Sequence, residues 1–386
     1  MKVLIITKHY LDQKLGGPNC SKAFVKAISA IYNDCTLIYP EHNDHKTDMS
    51  FLINKNIKLV PCYDSRSKFR KLTDVYLGRI HRFGGFVEDF LSNNVFDIVF
   101  IDHSFTASSG VLDAVVKAKS MIVTLHHNVE KDYIKDNQQN ILFRYPYNHY
   151  ALKAEHEAIL KSDLNLTLTY SDNDNFTCKY KDKAGTFEVM GMFEYENRDN
   201  VVLPQMSVPQ DNVFVISGAL NARQTESAVM SFINNYLPVL DKVCPQNKVI
   251  ITGRNPSSGI VAACVKHGNV TIVPNPDDIL SVINEGKYYI CPLHTGSGLK
   301  LRIMDGLRLG IPVLAHDVSC RGYEAIVKDG FMFGYSDVRS FEKGVRELMS
   351  ASLSREQVLE SFTSHFSYKA GECKLASILK KHRLLY

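Results

Sequence analysis

The sequence predicts an α/β protein built from two doubly wound parallel-sheet domains. Short apolar runs of strand length alternate with helix-like segments along nearly the whole chain, the pattern of parallel sheets covered on both faces. The alternation comes in two series, separated by the polar stretch Asp199 to Gln210 with its Pro204 and Pro209. The 386 residues, 45% apolar and 22% charged, are enough for two cores and argue against disorder.

In the first series, Lys2 to Thr7 reads as a buried strand and Gly16-Gly17-Pro18 as a loop. A helix is expected from Asn19 to Tyr32, with Ala23, Ala27, Ala30 and Ile31 on one side. Further strands are expected at Cys35 to Pro40, Ile57 to Val60, Asp97 to Ile101, Met121 to Leu125 and Leu164 to Thr169. The opening strand–loop–helix lacks the GxGxxG fingerprint, which weakens a dinucleotide reading. Gly16 and Gly17 are either a bare turn or part of a ligand site.

Thr124-Leu-His-His-Asn-Val-Glu130 directly follows a strand, and strand C-termini are where open α/β sheets bind ligands. His126 and His127 are the candidate reactive groups, and Asp102-His103 follows another strand as a weaker pair. His126 and His127 could pair on a metal, but no third ligand is evident by spacing, so no metal site is expected. From Arg66 to Arg82, six basic residues (Arg66, Lys68, Arg70, Lys71, Arg79, Arg82) stand against Asp74 alone, with aromatic and aliphatic residues interleaved. That stretch is either a contact for an anionic membrane face or a solvated helix surface.

The bulk numbers remove several classes. A net charge of +4 is too weak to argue for nucleic acid. Nine scattered cysteines without a CxxC pair argue against a disulfide framework or a zinc cluster and fit a reducing, cytoplasmic setting. Met1 to Ile6 is too short for a signal-peptide core, and no apolar run approaches the roughly 20 residues that span a bilayer.

The second series expects strands at Val213 to Ser217, Val249 to Thr252, Val270 to Val273, Tyr288 to Cys291 and Val313 to Ala315. Helices are expected near Thr225–Leu240, Ser258–His267, Asp277–Glu285 and Leu299–Leu309. The most informative stretch is Pro292 to Ala315. Gly296-Ser297-Gly298 forces a tight turn, Leu299 to Leu309 reads as a helix, and Gly310 and Pro312 close it. A strand, a Gly-rich loop and a helix N-terminus form an anion site. Arg302 could hold a phosphate by two parallel hydrogen bonds, Asp305 on the same face could accept from a ribose diol, and Lys300 lies elsewhere on the first turn. Alternatively, Arg302 and Asp305 are a surface ion pair.

Gly296-Ser-Gly-Leu-Lys-Leu-Arg-Ile-Met-Asp305, followed by Gly310-Ile-Pro-Val313, resembles the donor-binding segment of the GT-B glycosyltransferases of family 4, in its Gly-Ser-Gly branch. That family usually has Glu at the place of Asp305 and often a sugar-side Glu at the place of Ser297. The resemblance implies two Rossmann-like domains facing a cleft: an acceptor-side domain over 1–205, a donor domain over 206–365, and a last helix over 366–386 that returns to the first domain. It implies a retaining, metal-independent transfer from a nucleotide-diphosphate sugar, with no cofactor, to a glycan or lipid-linked acceptor in surface polysaccharide assembly. The enzyme would work in the cytoplasm, at or near the inner membrane face. His126 first, then His127, would lie beside the transferred sugar. The donor would be held by Gly16, Gly17, Gly218, Arg223, Gly253, Val273, Gly296, Ser297, Gly298, Lys300, Arg302 and Asp305. Val273 belongs to a strand end where the family reads the base through backbone groups. The Gly-Arg and Lys that the family often places on the diphosphate are reduced here to Arg223. Two rivals remain: a nucleotide-sugar epimerase on the same fold, with Glu130 as its acid/base, and a non-catalytic sugar-nucleotide-binding subunit.

Overall fold

A computed structural model describes residues 1–13, 15–52, 57–78, 83–136, 141–180, 183–196 and 211–385. The chain forms two compact units, Met1–Arg198 with Phe366–Tyr386, and Asp199–His365. The expected boundary at 205/206 lies outside the described residues, as do Arg79 and Arg82.

The first unit holds β1 (Lys2–Thr7), β2 (Asp34–Glu41), β3 (Lys58–Tyr63), β4 (Ile98–Asp102), β5 (Met121–His126), β6 (Leu164–Thr167) and β7 (Thr186–Val189). They form one parallel sheet in the order β3-β2-β1-β4-β5-β6-β7. Strand order reverses between β1 and β4, and that switch point is where such sheets open a ligand crevice. The central strands are buried on both faces, as their unbroken apolar runs require.

Gly16 and Gly17 form the first turn of the helix Gly16–Ile31 instead of the expected loop. Pro18 explains the early start: its fixed φ suits a helical first turn, where an N–H is not needed. The helix Tyr368–Lys381 packs on this one, with Tyr32 donating to the Leu384 carbonyl at 2.6 Å.

The second unit holds β8 (Val213–Ala219), β9 (Lys248–Arg254), β10 (Val270–Pro274), β11 (Tyr288–Cys291), β12 (Val313–His316) and β13 (Met332–Tyr335). All are parallel, in the order β10-β9-β8-β11-β12-β13, with the switch point between β8 and β11. The expected helix Leu299–Leu309 shrinks to Arg302–Leu307. Gly298 takes φ +68° and Gly310 φ +73°, so both ends turn out of helical geometry. The dipole of six residues is correspondingly slight, and charge in this loop must come from side chains. The helical stretch after β8 runs from Arg223, with a π-helical turn at Phe232–Tyr236.

Candidate active site

In the first unit, β1, β4 and β5 deliver five polar side chains, Thr7, His9, Asp102, His103 and His127, to the switch point. Asp102 ends β4, is buried, and accepts from Thr7 Oγ1 at 2.6 Å and from His127 Nε2–H at 2.8 Å. Burial alone would raise its carboxyl. The facing His127, its hydrogen bond and the nearby His9 outweigh this and hold Asp102 below the usual carboxylate range. His9, His103 and His127 group around it, with ring centroids 4.8 to 5.5 Å apart. Burial, then the Lys8 charge, pushes both His9 and His103 well below the ordinary imidazole value, so both are neutral near pH 7.

Gly17 belongs to this group by proximity: a Cβ there would stand 3.0 Å from His9 Nε2. His103 Nδ1 accepts from the Phe105 N–H at 3.1 Å, which leaves Nε2 as the donor facing Glu130 Oε1 at 3.5 Å. Burial raises the Glu130 carboxyl to about 7, against the pull of Lys8.

The two histidines of the post-strand motif part company. His127 joins Asp102. His126 turns to the opposite face, where its Nε2–H donates to Asn165 Oδ1 at 2.9 Å and its ring packs 5.1 Å from Phe176. Consecutive residues at a strand end alternate faces, so only one of the pair can reach the switch point. Burial lowers the His126 imidazole to about 4.

In the second unit, Arg302 reaches across to the end of β8. Its guanidinium donates to the Ser217 carbonyl and to Thr225 Oγ1, each at 3.1 Å. A Cβ on Gly218 would run into that guanidinium, and a Cβ on Gly253 would run into the Gly218 carbonyl. These two glycines thus allow β8, β9 and Arg302 to close on one another. Ser217 Oγ and the Tyr289 hydroxyl, 2.7 Å apart, brace the same corner.

Lys300 is buried and donates from Nζ to the Ser297 carbonyl at 2.9 Å. A Cβ on Gly296 would stand 2.7 Å from Lys300 Nζ and would run into Gln224 Nε2. Gln224 therefore joins this cluster. Only its position one residue after Arg223 could have pointed to it. Arg223 is exposed at the start of the helix Arg223–Ser231, whose N-cap has no side-chain cap. Asp305 lies 3.9 Å from Arg308 rather than pairing with Arg302. Burial raises its carboxyl against Arg308 and Arg302. Val273 lies away from this cluster on the edge strand β10, its carbonyl taken by Thr252 Oγ1 at 3.0 Å.

Residues 211–351, nearly the whole second unit, match the family model of glycosyl transferases group 1. The second unit is thus similar to the glycosyl transferases of group 1, and the chain has the fold of GT-B glycosyltransferases. Three solved structures share the fold. A sucrose-phosphate synthase from Thermosynechococcus elongatus has TM-score 0.66 and 11% identity, covering 99% of each chain. HepE from Anabaena, in complex with UDP and glucose, has TM-score 0.63 and 11% identity, over 99% of this chain and 100% of that one. A glycosyltransferase from Rickettsia africae has TM-score 0.60 and 14% identity, over 98% of each. No curated protein matches the chain.

Proposed function

We propose that the protein moves a sugar from a nucleoside-diphosphate sugar to a hydroxyl of a glycan or lipid-linked acceptor, with retention, in surface polysaccharide assembly. One observation carries the donor site: Arg302 is held against Gly218 at the second switch point, with Lys300 over the Gly296–Gly298 turn. Solved proteins of this fold support the donor class, since HepE carries UDP with glucose and an E. coli protein carries UDP-2-fluoro glucose.

In this reading the bond from C1 to the diphosphate oxygen breaks and the leaving group gains negative charge. Lys300, Arg302, Arg223 and the loop amides stabilise that charge as it forms. The acceptor oxygen bonds to C1 on the face the diphosphate leaves, and the acceptor proton passes to the diphosphate. Asp305 takes the ribose hydroxyls. His127, fixed by Asp102, is the reactive group this reading assigns to the first unit.

Calorimetric titration with UDP, GDP, ADP and CMP tests the donor site. Binding of one nucleotide that weakens at least tenfold in Lys300→Ala supports it, and no binding by any of them overturns it. The anomeric configuration of the product, read by NMR, tests retention. An epimerase reading rests on Glu130, raised to about 7 beside His103. Conversion of the donor sugar with no acceptor present would put it in place of the transferase.

For the acceptor side, we propose that the helix Lys68–Tyr76 meets an anionic lipid face. Arg66 is tied to Asp64 and Asp74, and Lys71 lies 3.3 Å from Asp64 and Arg70 4.0 Å from Asp74, so the charge that exposed Lys68, Arg70 and Lys71 offer is partly offset, beside exposed Phe69, Leu72, Tyr76 and Leu77. No helix among the described residues is long and apolar enough to cross a membrane.

A further inference from the structure

We propose that Asp12, His42 and His45 form a divalent-cation site, suited to zinc, that clips the loop after β1 to the loop after β2. Asp12 follows β1 by five residues, while His42 directly follows Glu41, the last residue of β2. Both imidazoles aim Nε2 at one carboxylate: His42 Nε2 lies 3.1 Å from Asp12 Oδ1, and His45 Nε2 lies 3.1 Å from Asp12 Oδ2. The three ligand atoms fall within 4.8 Å of one another.

A zinc ion bound to imidazole nitrogen and carboxylate oxygen at about 2.0–2.2 Å in tetrahedral geometry sets its ligand atoms roughly 3.3 Å apart. The two carboxylate–imidazole separations, each 3.1 Å, already fit, and the third, within 4.8 Å, closes by about 1.5 Å at most when an ion binds. Two imidazoles and one carboxylate suit zinc better than magnesium or calcium, which favour all-oxygen sets. Three protein ligands leave a fourth position for water or an oxygen of a bound molecule.

The surroundings are those of a ligating pair. Asp44 Oδ1 accepts from His45 Nδ1–H at 2.9 Å, a hydrogen bond that stays when zinc displaces the Nε2 proton now facing Asp12. The His42 and His45 rings stack at 4.0 Å, and Tyr10 stacks on the other side of His42 at 4.2 Å. The loop beneath is anchored separately: Glu41 accepts from the backbone of His42 and from both the backbone and hydroxyl of Thr47. The rings are thus set before any ion arrives.

The test uses the full chain, stripped with chelator and titrated with Zn²⁺ by calorimetry and with Co²⁺ by visible absorption. We expect one equivalent of zinc, and a cobalt spectrum of tetrahedral type without thiolate charge transfer. Affinity should fall at least tenfold in His42→Ala and in His45→Gln, and roughly tenfold in Asp44→Asn. Metal-free melting curves of wild type and variants check folding, and His45→Gln, at the more exposed of the two rings, serves if His42→Ala does not fold. No bound zinc, undiminished zinc in the His42→Ala/His45→Gln pair, or cobalt bands of thiolate type from the cysteines would each overturn the site.

Discussion

The guanidinium of Arg302 occupies the space a side chain on Gly218 would need, and its hydrogen bond to the Ser217 carbonyl, at 3.1 Å, locks it there. Gly218→Ala must therefore displace Arg302 or shift β8. Overpacking of this kind costs roughly 1–3 kcal/mol. We expect a lower denaturant midpoint together with loss of nucleotide binding. Arg302→Lys keeps the charge but gives up the two-armed hold on Ser217 and Thr225, so binding should weaken while Gly218 is left undisturbed. If Gly218→Ala binds nucleotide like wild type, the two residues are not coupled.

The adjacent histidines should separate cleanly by measurement. His126 is a core group: it is buried, bonded to Asn165 and packed on Phe176. His126→Ala should cost about 2–4 kcal/mol of stability. His127→Ala also costs stability, because it strands the buried Asp102 carboxylate, but it should in addition lower kcat by about 10²–10⁴-fold, with donor affinity retained. Comparing kcat and melting temperature in both variants decides the matter, and equal kcat losses in refolded samples would reject the assignment of His127.

Both sheets are legible in the sequence, because buried parallel strands are plain apolar runs. The edge strands Thr186–Val189 and Met332–Tyr335 are not, since half-buried four-residue segments, one of them carrying Gly334, give no run to read. The Gly296–Asp305 stretch is legible as a motif, but its pattern predicts a longer helix than the one that forms. Periodicity carried the expectation through Leu299–Leu301, where the turn set by Gly298 prevails. The partners of Arg302 could not be read at all, because Ser217 lies 85 residues away in sequence. In the sequence Asp102 stands out only as half of a post-strand pair with His103. Its role depends on β1 and β5 lying on either side of β4, which only the strand order reveals. The basic stretch was overcounted, because Asp64, just outside the window, neutralises Arg66.

Exposed Phe69 and Leu77, on and just beyond the helix Lys68–Tyr76, give a direct test of lipid contact. Each basic residue near an anionic surface contributes about 1 kcal/mol, so Lys68, Arg70 and Lys71 together supply at most roughly 3 kcal/mol, reduced by Asp64 beside Lys71 and Asp74 beside Arg70. Changing all three to Gln should abolish co-sedimentation with phosphatidylserine vesicles at low salt, and Phe69→Ser should weaken it. Wild type that stays in solution at every salt concentration would reject the contact.

The stability of the first unit should fall as pH rises, for a reason that lies beside the histidine cluster. Glu155 is buried and accepts the Glu130 N–H at 2.6 Å. Burial raises its carboxyl to about 8, the Glu130 N–H opposes this, and the Glu130 charge adds to it. Glu130 is itself raised to about 7. A carboxyl whose folded pKa is raised holds its proton more tightly when folded. Its contribution is fully present below the unfolded value near 4.5 and is lost as pH rises through about 8. Melting temperature should therefore decline between pH 5 and roughly pH 8.5, by the equivalent of a few kcal/mol at most. Glu155→Gln keeps an oxygen for the Glu130 N–H and removes the titration. It should melt higher than wild type at pH 8, and only the shallower slope due to Glu130 should remain. A wild-type profile that is flat across this range, or a Glu155→Gln profile parallel to it, would show that the buried carboxyls do not govern alkaline stability.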